Sequence, residues 1–462
     1  MKISLASART WTSLTFGRRQ PIDDGQRRYV RILQSALTAL AGRGIGFFVS
    51  IISVPLTISY LGTERYGVWI TISTMLAWLA IADLGLGNGL TNTLSEAYGT
   101  NRRDNAQSYV ATAIWMLIGV TVLLATIGAL VWPWIDWITL FNVRSTEARA
   151  EVGTAVALAI TFFLLSFPLS VIGKIYGAYQ EGAIANYWTA AGNIVSLVAL
   201  LVVTQLQGGL VSLVFALSGA QLLLNFSNAL WLFGWHKPWL RPCPSLINQS
   251  YLSRLTATGG MFFVLQIAVL LNFQADTLII ARYLGAEQVT HYSIAWRLFS
   301  YTALLQVLLF PSLWPAYAEA FARKDSKWIT RTFKANIVIS TGVTILLVVP
   351  LIVFGRMIIQ AWAGASAVPS ITLLIWLGIF SIINASMNVI ACILNASGHI
   401  KGQMFYGSAT AIVNIVLSVI LVVPFGIAGV IAATVIAYVL CNVVPASVET
   451  TLLLLKVRNE QL

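Results

Sequence analysis

Tyr60-Leu61-Gly62-Thr63-Glu64 recurs as Tyr283-Leu284-Gly285-Ala286-Glu287, 223 residues further along the chain. At the same offset, without a gap, Glu96-Ala97-Tyr98 falls on Glu319-Ala320-Phe321. A third echo sets Asn193-Ile194-Val195 against Asn414-Ile415-Val416, at an offset of 221. Charged and glycine positions match in register, which chance likeness between apolar runs does not supply. The chain therefore reads as two related halves.

Both halves are oily. Of 462 residues, 58% are apolar and 10% charged, against about 45–50% and about 25% in an average soluble domain. Those values exclude a disordered chain, a disulfide scaffold and an ordinary cytosolic enzyme, and leave a polytopic membrane protein. A ruler of roughly 20 apolar residues yields twelve spans: 36–59, 67–92, 109–132, 154–175, 184–204, 210–233, 258–282, 291–314, 335–355, 368–393, 403–424 and 427–448. The runs are continuous rather than alternating, so the expected fold is all-α and not a barrel. Each half supplies six helices.

Lysine and arginine orient them. With the N-terminus in the cytoplasm, 21 fall on that side and 5 outside, while Arg43 and Arg297 lie within spans. That bias places both termini in the cytoplasm. The net charge of +12 then reports retained cytoplasmic loops and not a nucleic-acid partner. The organisation expected is a basic segment over 1–35, an N-lobe over 36–233, a proline-bearing cytoplasmic linker over 234–257, a C-lobe over 258–448 and a cytoplasmic tail over 449–462. Six is even, so the lobes insert with like topology about a pseudo-two-fold axis along the membrane normal. Such a layout encloses a cavity between lobes that rock between inward- and outward-facing states.

Ionisable residues inside a span are costly and serve as functional candidates by default. Arg43 precedes Thr63 by 20 residues and Asp83 follows it by 20, so the two share a depth in the cytoplasmic half. Asp276 and Arg297 stand 10 before and 11 after Ala286, at a shared depth in the outer half. One reading is a neutral Arg–Asp pair that lets each hairpin insert. The other has Arg43 and Arg297 facing the cavity to hold an anionic group, with guanidinium forks suited to phosphate. Asp83 or Asp276 then positions the arginine or binds a coupling proton or cation. Lys174, at an inner helix end, either snorkels to the interface or contacts phosphate. Gly42 and Gly46, and likewise Gly85 and Gly89, are spaced for close helix contact or, together with Pro55, for a hinge. Pro311 and Pro315 point to a kink in the eighth span. Glu96 and Glu319 read as interfacial charges at matching helix ends. Most of the sixteen tryptophans read as interface anchors, although they are also suited to stacking on sugars.

There is no Gly-x4-Gly-Lys-Ser/Thr loop, no His-Glu-x-x-His and no Cys/His cluster, so neither enzyme chemistry nor a bound cofactor is expected. The energy source is left to a proton or Na+ gradient, to exchange, or to consumption of the product.

The run Tyr60-Leu61-Gly62-Thr63-Glu64-Arg65-Tyr66-Gly67-Val68-Trp69, followed by Ile81-Ala82-Asp83-Leu84-Gly85-Leu86-Gly87-Asn88-Gly89, resembles the polysaccharide transporter family. These are the Wzx-type O-antigen flippases of the multidrug/oligosaccharidyl-lipid/polysaccharide exporter superfamily. The resemblance is strongest over residues 31–105. It implies a V-shaped alternating-access transporter in a bacterial inner membrane. The implied cargo is undecaprenyl-pyrophosphate-linked oligosaccharide, moved to the outer leaflet while cavity cations receive the pyrophosphate. Arg43, Arg297 and Lys174 are the candidates by position. Polysaccharide polymerase and chain-length proteins are the implied partners. A cation-coupled multidrug or metabolite antiporter and a peptidoglycan-precursor flippase are the alternatives. The short exterior loops argue against a membrane glycosyltransferase.

Overall fold

The computed structural model describes residues 24–99, 103–248, 274–303 and 325–459, with isolated positions at 251, 263, 267, 313, 317, 320 and 321. Side chains of the first helix are described from Leu37 onward. Pro311, Pro315, Glu319, the Glu96 side chain and most of the span expected at 258–282 lie outside the described residues.

The described residues trace ten transits of membrane-spanning length and the hairpin-side portions of two more, and no strand occurs among them. The first six transits are α1 (24–61), α2 (63–99), α3 (Arg103–Val131), α4 (146–178), α5 (Gly182–Gln205) and α6 (210–236). The second six are α7 (274–284), α8 (Ala286–Ser300), α9 (Ser326–Ala363), α10 (Ile371–Ala396), α11 (400–425) and α12 (427–459). Eight continuous helical stretches are long and apolar enough to cross a membrane, and two of them contain a double transit. This is a multi-pass membrane protein. α12 passes a wide turn at Val439–Val443 and runs to Asn459, beyond the 448 boundary read from hydropathy. Its last turns bury Leu453.

The sequence repeat has a backbone counterpart. Gly62 turns the chain between α1 and α2 at φ 80°, ψ 168°. Gly285 does the same between α7 and α8 at φ 99°, ψ 163°. Only glycine adopts that region without a Cβ clash, which explains why this residue is shared by both hairpins.

Each lobe buries its own aliphatic core. In the N-lobe, Leu86, Leu90, Val110, Leu117 and Ile175 pack near one end, and Val68, Ile72, Val152, Leu210 and Leu213 near the other. In the C-lobe, Met387, Ile390 and Leu394 pack against Ala446 and Leu453. A further cluster joins the lobes: Val54, Ile58 and Tyr66 pack with Ile280, Val289, Ile294 and Phe299. These residues flank the two glycine hairpins, so the lobes meet at the hairpin end. The linker runs at the opposite end and is fastened to the N-lobe. There Lys237 Nζ and His236 Nε2 reach Glu181 at 2.7 and 3.0 Å, and Trp115 Nε1 donates to the Pro242 carbonyl at 3.1 Å. The result is a V with its apex at the hairpins.

Candidate functional site

The apex is held by close approach and a few polar contacts. Thr290 Oγ1 donates to the Thr63 carbonyl at 2.6 Å, and Arg282 donates to the Thr139 carbonyl at 2.9 Å. A Cβ at Gly67 would lie 1.7 Å from the Ala286 carbonyl oxygen. No side chain fits there, so Gly67 lets α2 and α8 touch backbone to backbone.

Arg297 sits on the lobe-facing side of α8. Its guanidinium donates to Ser50 Oγ of α1 at 2.9 Å, and Tyr301 donates to the same hydroxyl at 3.2 Å. The Tyr301 ring meets Phe47 edge-on at 4.5 Å, and Trp362 of α9 donates to the Ile51 carbonyl at 2.7 Å. Beside these contacts runs a cavity of about 480 Å³ lined by Phe47, Ile51, Leu347, Pro350, Leu351 and Trp362. A permanent cation thus stands at the polar margin of an oily slot.

The expected Arg297–Asp276 ion pair is not formed. Asp276 is 2% exposed, inside the C-lobe. It accepts from Thr434 Oγ1 at 2.9 Å, Tyr292 Oη at 3.1 Å and Asn414 Nδ2 at 3.2 Å. Ser418 Oγ extends the network to Asn414 Oδ1 at 3.1 Å. α8 does approach Asp276, but through Tyr292, five residues or about 7.5 Å nearer the hairpin than Arg297. Arg297 follows Tyr292 by five residues, about 140° around a helix, and so points at α1 instead. Among the described residues Asp276 is the only fully buried carboxylate, and no basic side chain lies within ion-pair reach of it.

The expected Arg43–Asp83 pair is absent too. α2 breaks between its two halves: Ala80–Asp83 forms a 3₁₀ turn, Leu84 is left-handed at φ 50° and Gly85 follows at φ 73°. Asp83 Oδ1 accepts from the Gly85 amide at 2.9 Å. Its other oxygen and the Lys174 stem both lie within 3.3 Å of where a Cβ at Gly87 would stand. Asp83 therefore serves the break and faces α4, not α1. Lys174 is half-buried beside it. Arg43 is exposed and forms no hydrogen bond or ion pair within the described residues. It precedes Ser50 by seven residues, two turns or about 10 Å along the same face of α1. That face carries the contacts to Arg297, so Arg43 lies on it where the lobes have diverged.

The glycines divide by role. A Cβ at Gly42 would meet the Asn186 carbonyl at 3.7 Å, and one at Gly46 would meet Asn193 Nδ2 at 3.2 Å. Both pack α1 onto α5, and α1 stays helical through them and through Pro55. Gly85 lies at the break in α2, whereas Gly89 is buried in the helix that follows, where Thr93 donates to its carbonyl. Sequence reasoning passed over Ser50, Trp362 and the Asn414–Thr434 side of the Asp276 network. Asn414 stood in the repeat and was the available signal.

A family model described as polysaccharide biosynthesis protein matches residues 32–321, and one described as MatE matches residues 262–420. A protein named for O-antigen export in Yersinia pseudotuberculosis is 27% identical over 69% of this chain and 74% of its own. A protein named as a low-salt glycan biosynthesis flippase, Agl15, in Haloferax volcanii is 23% identical over 87% of this chain and 80% of its own. Among solved structures, the inward-facing conformation of a multidrug resistance MATE family transporter of the MOP superfamily superposes with a TM-score of 0.76 at 13% identity, covering 91% of this chain and 99% of that one. The lipid II flippase MurJ in an inward closed conformation gives 0.67 at 15% identity, covering 91% and 87%. At these identities the likeness is one of fold.

Proposed function

The chain belongs to the polysaccharide biosynthesis protein family, and from that premise we propose that it is a flippase for polyprenyl-pyrophosphate-linked oligosaccharide in polysaccharide export. One observation carries the reading: Arg297 stands at the lobe seam on the edge of an apolar cavity. The cargo has the same partition, an anionic head on an oily tail. Such a head crosses hydrocarbon only if its charge is met on the way.

In this proposal the protein lies in a bacterial inner membrane with both termini cytoplasmic, as the lysine and arginine bias favours. The hairpin apex then faces outward, and the described state is open toward the cytoplasm. Arg43 receives the pyrophosphate on the open face, assisted by Lys174. Arg297 takes it up deeper, trading the Ser50 hydroxyl for phosphate oxygens. Because its present partner is neutral, that exchange costs about one charge-assisted hydrogen bond, roughly 1.5–3 kcal/mol, and needs no ion pair to be broken. Each apex hydrogen bond contributes about 1 kcal/mol net, so cargo binding can outweigh the seam and let the lobes part on the outer side.

Asp276 is the coupling residue of this scheme. A buried carboxylate held only by neutral donors is stabilised by a proton or a Na+ ion. Loading or unloading that ion shifts how α7, α8, α11 and α12 pack. The same network would serve a cation-coupled antiporter, but arginines on the lobe-facing surfaces repel the organic cations such a protein would export. No catalytic role is assigned to any residue.

Deleting the gene and extracting lipids tests the reading. Lipid-linked oligosaccharide should accumulate in the cytoplasmic leaflet, and the wild-type gene should clear it, whereas Arg297→Ala, present at equal membrane abundance, should not. Normal polysaccharide export by the Arg297→Ala protein would defeat the assignment.

A further inference from the structure

The N-lobe contains a second polar recess, apart from the seam. It has a volume of about 200 Å³ and lies between α4, α5 and α6. One face of α6 lines it with Gln221, Asn225 and Asn228 at helical spacing. The lipid-facing stripe of that helix, Leu223, Phe226 and Leu230, lies around the other side. Tyr176 Oη donates to Asn228 Oδ1 at 2.5 Å, and Gln221 Nε2 donates to Asn225 Oδ1 at 3.2 Å. These two bonds orient the carboxamides and leave the Asn225 and Asn228 amino groups and the Gln221 carbonyl without a partner among the described residues. Within a membrane-spanning helix such groups are costly unless water or a ligand meets them. Trp188 and Thr189 of α5 complete the wall.

The chemistry of this recess is specific. It offers donors and acceptors together, no net charge and one indole. Phosphate is better served by cations, and an acyl chain gains nothing from three carboxamides. A pyranose ring presents hydroxyls that both donate and accept, and an apolar face suited to an aromatic ring. The recess is also placed for it. Gly42, next to Arg43, abuts the Asn186 carbonyl, within one turn of Trp188 and Thr189, so the recess lies at the depth of Arg43. Gly173 on its α4 wall adjoins Lys174.

Resting on the flippase reading above, we propose that this recess is a sugar subsite. It binds one neutral pyranose near the pyrophosphate of the cargo while Arg43 and Lys174 hold the phosphates. Its size admits a single ring and not the whole oligosaccharide, so it reads the sugar proximal to the lipid and leaves the rest of the glycan in the open cavity.

The test compares two probes on the purified full-length protein in nanodiscs: polyprenyl pyrophosphate carrying its oligosaccharide, and bare polyprenyl pyrophosphate. Wild type should bind the glycosylated lipid about tenfold or more tightly than the bare one, the sum of a few net hydrogen bonds. Asn225→Leu/Asn228→Leu should remove that difference and leave bare-lipid affinity within about twofold. Leucine suits a membrane helix, and an unchanged melting temperature would show that folding is kept. Trp188→Ala should lose affinity for the glycosylated probe, and Trp188→Phe should retain most of it. Equal affinity of wild type for both probes, or parallel loss of both in the leucine variant, would overturn the subsite and leave the flippase reading standing. Binding of neither probe by wild type would overturn both.

Discussion

The two lobes share a backbone plan and differ in where they carry charge. Gly62 and Gly285 make the same turn in both, and Asn193 and Asn414 pack against the first helix of their own lobe. Yet at the repeat offset of 223, Arg43 and Asp83 correspond to Gln266 and Gln306, while Asp276 and Arg297 correspond to Ser53 and Thr74. Neither lobe repeats the other's ionisable positions within the spans, although Glu64 and Glu287 do match at the hairpins. The N-lobe carries its cations toward the open end, with Arg43 exposed there. The C-lobe buries its acid and sends its arginine to the seam. Duplication supplied a symmetric frame, and in the proposed scheme divergence divides the work: capture on one side, coupling on the other.

That division can be broken at the apex. Gly67→Val places side-chain atoms where the Ala286 carbonyl stands, so the outer seam cannot close. Transport should be lost at normal expression. A cysteine placed at Ala286, which is buried in the seam, with Cys243, Cys392 and Cys441 replaced by Ala, should become far more reactive toward a membrane-impermeant thiol reagent. Unchanged reactivity would mean that the hairpins are not the gate.

The acids separate the lobes next. Asp276→Asn should abolish stimulation of transport by an imposed ion gradient. Asp276→Leu should in addition lower stability by about 3 kcal/mol or more, because Tyr292, Asn414 and Thr434 are left with unmet polar groups. Asp83→Asn should keep gradient dependence and cost at most about 1 kcal/mol through a weakened turn. Gradient-dependent uptake into vesicles and melting in detergent measure both. Equal effects at the two positions would erase the proposed division.

Lysine substitution sharpens the contrast between the arginines. Arg297→Lys loses the planar fork in a confined setting and should reduce flipping about tenfold, whereas Arg43→Lys, on an exposed face, should reduce it about threefold or less. The smallest effect is expected from Thr290→Val, which removes one seam hydrogen bond. A loss of about 1 kcal/mol shifts the open-to-closed ratio about fivefold, read as a modest rise in labelling at the Ala286 cysteine.

Much of this architecture was legible because it follows from lipid as solvent. Continuous apolar runs gave the twelve transits, and the Tyr-Leu-Gly repeat located both hairpins. Which residue of α8 meets the acid was not legible. Tyr292 takes the place beside Asp276, because α8 turns about 140° and rises about 7.5 Å between residues 292 and 297. At Asp83 a helix break intervened, and Leu84 in the left-handed region gives no hydropathy signal. Gly42 and Gly46 carried two readings, and the partner in the packing one, α5, gave no signal in the sequence. The carboxamides at 221, 225 and 228 could have been found in advance, because polar residues in phase on an apolar span are as costly as charges in kind, if not in degree.

The central claim is that the lobe-facing arginines carry a pyrophosphate-linked glycan across the membrane. It is tested most directly by reconstituting the protein in liposomes with fluorescent polyprenyl-pyrophosphoryl oligosaccharide and following its appearance in the opposite leaflet by dithionite quenching. Wild type should move the lipid, and Arg43→Ala/Arg297→Ala should reduce movement to that of protein-free liposomes. Equal movement by wild type and the double variant, or none by wild type, would contradict the account.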